Sequence, residues 1–159
     1  MIQIRYIGGM NKWLKRIGGF SVLAFGALQL ANPPHDNPPV EAGHDAMAVD
    51  PPPAAIAQAL KDSCYDCHSF ETKWPWYSYI APVSWSVAND VKAARAALNF
   101  SEWPHDDARR ARKRWRRIGE EVQDGEMPVR SYTWIHPRAR LDEKQRAELI
   151  NWAQDQVNK

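Results

Sequence analysis

The chain has 159 residues, 21 Lys and Arg against 19 Asp and Glu, and a formal net charge of +2. Such a balance gives no bulk field to draw it towards polyanions. It holds only two cysteines, too few for a closed zinc site built on two cysteine pairs.

The first 31 residues carry Arg5, Lys12, Lys15 and Arg16, contain no acid, and end in the apolar stretch 17–31. A basic region followed by a short apolar one is an export signal. The apolar run is shorter than the ~20 residues of a comfortable membrane span, and the small-x-small site Ala24-Phe25-Gly26 would leave an even shorter apolar segment. Residues 1–31 are therefore read as a signal sequence or signal anchor, with the uncleaved anchor, residues 17–31, preferred. Met10 opens a tidy signal of its own, MNKWLKRIGGF. Positive charge before the apolar stretch and acid after it place the rest of the chain on the periplasmic side of a bacterial inner membrane.

Residues 32–53 hold Pro33, Pro34, Pro38, Pro39, Pro51, Pro52 and Pro53. Proline at that density predicts an extended linker, a stalk in which His35 and His44 only titrate.

Both cysteines fall in Cys64-Tyr65-Asp66-Cys67-His68. Two thiols three positions apart can add to the two vinyl groups of one porphyrin, and the histidine beside the second thiol is then carried under the ring to coordinate iron; this string is the signature of c-type haem attachment. A thioredoxin-like redox pair would need a strand before the motif and a βαβ context, which the sequence lacks. Covalent haem attachment in bacteria belongs on the outer face of the inner membrane, so motif and export segment agree without sharing a residue.

Residues 54–159 form one small domain, with 17 basic against 15 acidic residues (21 − 4 and 19 − 4). Four helices are predicted. Residues 54–60 begin just after three prolines and lead into the motif. Residues 84–98 carry an apolar stripe at Val87, Val91, Ala94 and Leu98, and residues 108–122 carry one at Ala108, Ala111, Trp115, Ile118 and Val122. The last helix, 142–156, opens on a capping box of Asp142 and Gln145. No useful strand alternation intervenes, so the domain is read as all α, built around one covalent haem c whose burial supplies part of the core; the haem-free chain is expected to fold poorly.

His68 alone would leave iron five-coordinate. His105, Met127 and His136 are the downstream candidates for a second axial ligand, and Met127 in Gly125-Glu126-Met127-Pro128 is preferred because proline stiffens the backbone presenting the sulfur and a thioether raises the reduction potential. His136 is the alternative.

The order of motif, proline-bearing loop, Met-Pro loop and terminal helix resembles the class I cytochrome c pattern. More closely, CYDCHSFETKWPWYSYIAPVSW, LNFSEW, GEMPVRSYTWIHPRARL and the terminal helix are similar to a bacterial family of membrane-anchored proteins named for a haem-binding domain, over most of residues 54–157. The resemblance implies a monohaem periplasmic cytochrome in which Cys64 and Cys67 are the thioether sites, His68 the proximal ligand and Met127 the distal one, with the Pro82 carbonyl accepting the hydrogen bond of His68. The aromatic loop Trp74, Trp76, Tyr77, Tyr79 and the long connection 98–107 depart from the minimal class I layout; packing around the cofactor is the expected role of the aromatics. Tyr132 and Trp134 are candidate donors to a haem propionate, with Arg138 a partner for the same carboxylate.

Arg109, Arg110, Arg112, Lys113, Arg114, Arg116 and Arg117 crowd the third helix. They form either a solvated face or a docking face for an acidic redox partner protein or anionic lipid. Nucleic acid is excluded by compartment. The expected function is electron carriage by Fe(III)/Fe(II) cycling without catalysis. The alternatives are a haem protein that binds peroxide or gas at a displaceable sixth position, and a fixed haem subunit of a membrane redox complex.

Overall fold

The apolar stripes fold as the helices their spacing predicts. The computed structural model describes residues 7–159, with side chains from Lys12 onward, so Arg5 of the expected basic region lies outside the described residues. Its helices are α1 (Ile7–Gln29), α2 (Ala46–Val49), α3 (Ala54–Leu60), α4 (Asp66–His68), α5 (Val83–Ala97), α6 (Ala108–Gln123), α7 (Arg130–Ile135) and α8 (Glu143–Val157). Among the described residues no strand occurs, and the fold is all α. The α8 capping box forms as expected: Asp142 accepts from the Gln145 backbone N–H and Gln145 reaches back to the Asp142 N–H.

The chain divides into two compact units. One runs through His35 and is completed by Pro75–Ala88; the other comprises Asp36–Trp74 and Asn89–Lys159. In the second unit α6 packs along α8, and α3 packs on α8. Its core joins Ile56, Leu60, Tyr65, Phe100, Trp103, Trp115, Ile118, Val122 and Leu149. The aromatics interlock, with Trp103 and Trp115 at 4.6 Å between ring centroids and Trp152 edge-on to Trp115 at 4.5 Å. Indole N–H groups need partners when buried. Here both turn to one carboxylate, Asp50 Oδ2, at 3.3 Å from Trp103 and 2.8 Å from Trp115.

That contact corrects the stalk expected over 32–53. From Asp36 onward this stretch is a wall of the second unit. Ala46 is buried in the core with Met47 and Val49 packed beside it. Asp45 accepts from the Tyr65 hydroxyl at 3.1 Å, the His44 carbonyl accepts the Trp103 N–H at 2.8 Å, and the His44 ring stacks on His105 at 4.2 Å. Arg95 fastens the segment further, donating to the Asp36 carbonyl and Asn37 Oδ1, and also to the Ser69 carbonyl and Thr72 Oγ1, all at 2.8–2.9 Å. The prolines still do their local work, stiffening a chain whose other residues supply the contacts.

In the first unit the segment after α1 is laced to residues 78–85. The Gln29 amide pairs with both backbone groups of Ala81, accepting its N–H at 2.9 Å and donating to its carbonyl at 3.3 Å. Asn32 donates to the Tyr79 carbonyl at 3.0 Å, and the Trp85 indole donates to the Ala31 carbonyl at 2.9 Å. His35 bonds the Ser78 carbonyl at 2.7 Å and stacks on Tyr79, so it has a structural place. Trp76 and Tyr79 are exposed, contrary to the packing role expected of that loop. No described helix is long and apolar enough to cross a membrane: α1 has 23 residues, but its basic turn leaves only a short apolar run for the span expected of 17–31.

Candidate functional site

The Cys64–His68 motif sits on a helical path with a local irregularity. Pro53 caps α3, and the helix continues beyond Leu60 through a π-helical turn, Lys61–Tyr65, into α4. π-turns are rare and recur at functional sites; this one contains Cys64. Side chains fix the motif's far end. Asp66 accepts the Lys73 N–H at 3.1 Å and the Tyr132 hydroxyl at 2.7 Å, while the Ser69 hydroxyl donates to the Tyr65 carbonyl at 2.7 Å.

His68 is held by its inner nitrogen. Nδ1 lies 3.0 Å from the Leu98 carbonyl and 3.1 Å from that of Ala94. Carbonyls only accept, so Nδ1 carries the proton and Nε2 keeps its lone pair, the state a metal ligand requires. Burial lowers the His68 pKa from its ordinary value, against the opposing pull of the two carbonyl hydrogen bonds, and so favours the neutral ring. The carbonyl acceptor expected at Pro82 is thus corrected: Pro82 falls in the first unit, where its carbonyl accepts the Trp85 N–H at 3.2 Å. Leu98 follows the last turn of α5, where carbonyls run out of helical donors, and its carbonyl, with that of Ala94, which also accepts the Leu98 N–H at 2.9 Å, gives His68 what the loop proline was expected to give.

Met127 reaches the same place through the end of α6. Gly125 adopts φ +75°, its N–H donates to the Val122 carbonyl at 3.3 Å, and the N–H groups of Glu126 and Met127 both converge on the Glu121 carbonyl at 3.1 Å. The first two contacts and the left-handed glycine make a Schellman turn. It folds the chain back so that Met127 follows directly on the end of the helix.

Ser63, Cys64 and His68 from the motif, Ala97, Leu98 and Phe100 from the end of α5 and beyond, Arg117, Ile118, Glu121 and Val122 from α6, and Met127 line one cavity. It is partly open to solvent, and the room it leaves for water-sized atoms is about 80 Å³. The wall is apolar apart from a few groups. Arg117 Nε pairs with Glu121 Oε1 at 3.5 Å, and the buried Ser63 Oγ has no hydrogen-bond partner. Cys64 and Cys67 are both free and half-buried. Burial, then the neighbouring Cys67, pushes the Cys64 thiol up to about 12; burial, then Asp66 and Asp90, pushes Cys67 up to about 11. Both thiols are therefore protonated at neutral pH. Cys67 is not among the lining residues.

The residues fit a haem. The cavity is apolar, it brings a thiol, a neutral imidazole with a free lone pair and a thioether to one wall system, and Ser63 Oγ has no polar partner within the protein. Of the three candidates for a second ligand, Met127 alone lines it. His105 stacks on His44, and His136 stacks on Tyr132 at 4.4 Å. The propionate donors expected at Tyr132 and Trp134 are not brought to the cavity. Tyr132 spends its hydroxyl on Asp66, bracing the motif, and Trp134 and Arg138 are exposed elsewhere. The cavity's own cation is Arg117. Sequence reading missed it inside a run of seven similar residues, although the Arg117, Glu121 spacing of i, i+4 marks a pair on one face.

No curated protein and no solved structure matches the chain. The model of the haem-binding domain family matches residues 23–155, a span that takes in the Cys64–His68 motif, the α5 carbonyls, α6, Met127 and most of α8. The chain belongs to the haem-binding domain family.

Proposed function

We propose that this protein is a monohaem c-type cytochrome that carries electrons on the periplasmic side of the bacterial inner membrane, with haem attached through Cys64 and Cys67 and iron ligated by His68 and Met127. One observation carries the reading: Cys64, His68 and Met127, separated by up to 63 positions (127 − 64), line one cavity. When bound, the haem supplies one-electron Fe(III)/Fe(II) exchange. The protein's part is to hold it. Cys64 and Cys67 would hold it by adding their S–H bonds across its two vinyl groups, sulfur bonding one vinyl carbon and the hydrogen passing to the other; Leu98 and Ala94 orient His68, Phe100, Ile118 and Val122 supply apolar wall, and the Arg117–Glu121 pair sets charge there. Met/His ligation favours a raised potential and a closed coordination sphere, which suits a carrier with no bond chemistry of its own.

The basic run of α6 serves two purposes under this reading. Arg114 is committed to the domain, donating to the Glu102 carbonyl at 2.6 Å and lying over the Trp103 ring. Arg109, Lys113 and Arg116 are exposed and share one helical stripe, the part available to an acidic redox partner.

The far-red sulfur-to-iron band of the oxidised protein tests the proposal. It is expected in the native protein and absent in Met127→Ala. A native protein without the band that binds carbon monoxide rapidly once reduced is a ligand-binding protein, not a carrier.

A further inference from the structure

The first unit carries a surface that the haem cavity does not use. From Lys12 to His35 and from residue 75 to 88 there is no carboxylate, and the second of these segments has no charged side chain at all. The only charges on the described part are Lys12, Lys15 and Arg16, grouped at the start of α1. Large apolar side chains point outward from both segments. On α1, Phe20, Val22, Leu23 and Phe25 are exposed, and at 3.6 residues per turn these four positions cover all sides of the helix. In the loop, Trp76 and Tyr79 are exposed, beside Trp85, whose indole N–H is taken by the Ala31 carbonyl.

Exposure on every side of a helix decides between a protein and a lipid occupant. A protein partner covers one face and leaves the others wet; acyl chains surround the helix. The charge agrees, since three cations and no acid beside an apolar surface complement anionic headgroups. Trp and Tyr are the residues that settle at the headgroup boundary. Residues 17–29 rise about 20 Å as a helix, less than the ~30 Å of a hydrocarbon core, so α1 enters lipid without a comfortable crossing.

The Gln29, Ala31, Asn32 and His35 contacts decide where the loop goes. They fasten residues 78–85 to the end of α1, so the loop lies wherever that end lies. We propose that α1 and the Trp76–Trp85 loop form a single lipid-seated surface whose occupant is a bilayer with anionic headgroups, the loop aromatics resting at the interface beside the end of α1. This rests on the reading that the chain is exported to the membrane. It further requires that the segment stay attached to the mature protein, because a chain cut before Gln29 would free the loop.

The haem-loaded full chain in vesicles of phosphatidylcholine and phosphatidylglycerol (3:1) gives the test, through hydroxyl-radical oxidation of individual tryptophans read by mass spectrometry. Trp76 is 75% exposed and Trp134, in the second unit, 79%, so without lipid they should oxidise alike; Trp13, 63% exposed on α1, reports on the helix itself. On vesicles Trp13 and Trp76 should both be protected several-fold, with Trp134 unchanged. Protection of Trp13 with Trp76 as reactive as Trp134 overturns the shared surface while leaving membrane attachment intact. Protection of neither tryptophan overturns the membrane reading together with the proposal. Protection of Trp76 that appears without vesicles as protein concentration rises assigns the surface to a second copy and also overturns it. The double variant Trp76→Ser, Tyr79→Ser should keep its haem and lose roughly tenfold or more in vesicle partitioning; an unchanged partition coefficient sinks the role of the loop.

Discussion

The two units answer the problem of apolar surface in opposite ways. The second turns Tyr65, Phe100, Trp103 and Trp115 inward, stacks them on each other, and gives the Trp103 and Trp115 indole N–H groups an internal acceptor in Asp50. The first uses polar side chains as the internal fastenings, Gln29, Asn32 and His35 onto backbone groups, and leaves Phe20, Leu23 and Trp76 outside. Hydrogen bonds make a poor substitute for a core in water, because their net contribution is about 1 kcal/mol each. A unit held that way is suited to having its apolar burial completed by something other than the protein.

The distinction can be broken most forcefully at the attachment motif. Replacing Cys64 and Cys67 together by Ser should abolish the haem stain on a denaturing gel. It should also speed amide exchange through α3 and α6, because the cavity loses the group that fills it. The Ser78 and Ile80 amides of the first unit should keep their rates; uniform loosening of both units would erase the contrast. Next in size is Asp50→Ala, which strands two indole N–H groups and should cost about 2–4 kcal/mol in urea unfolding of the second unit, with Asp50→Asn recovering most of it. Gly125→Ala should cost about 1–2 kcal/mol, because an L-residue is forced into the left-handed region. No atom crowds that position, so backbone conformation is the sole source of the effect, and the far-red band should weaken with it as Met127 loses its presentation. Smallest is Gln29→Ala, expected to raise local exchange at Ala81 by about 1 kcal/mol and to leave the haem spectrum unchanged; a spectral shift would show that the cavity depends on the first unit's fastenings.

Much of the helical architecture was legible because each stripe states its own period. Val91, Trp115, Ile118, Val122, Leu149 and Ala153 are all buried, as their spacing requires. The Cys-x-x-Cys-His string stands out because it holds both cysteines, and Met127, which lines the same cavity as Cys64 and His68, because Gly125 and Pro128 stand on either side of it. What sequence could not show is which distant backbone group serves a side chain. The Leu98 and Ala94 carbonyls of His68 have no residue-type signature, since every residue carries a carbonyl. The proline-rich stretch misled for a related reason. Composition describes what a segment can do alone, and Asp45, Ala46 and Asp50 act only against Tyr65, Trp103 and Trp115. Tyr132 and Trp134 have the polar tips of propionate donors, yet α7 turns Tyr132 to Asp66 and leaves Trp134 outside.

The Asp50 carboxylate bears on where the chain can be shortened. The proline run 51–53 looks like a natural place to cut, and a protein starting at residue 54 would keep every residue of the haem cavity. It would also leave the Trp103 and Trp115 indoles facing an empty slot where Asp50 and Ala46 had been, and take the acceptor from the Tyr65 hydroxyl one residue from Cys64. A cut before Asp36 spares all of these, so the useful boundary lies 18 positions (54 − 36) upstream of the one that composition advertises.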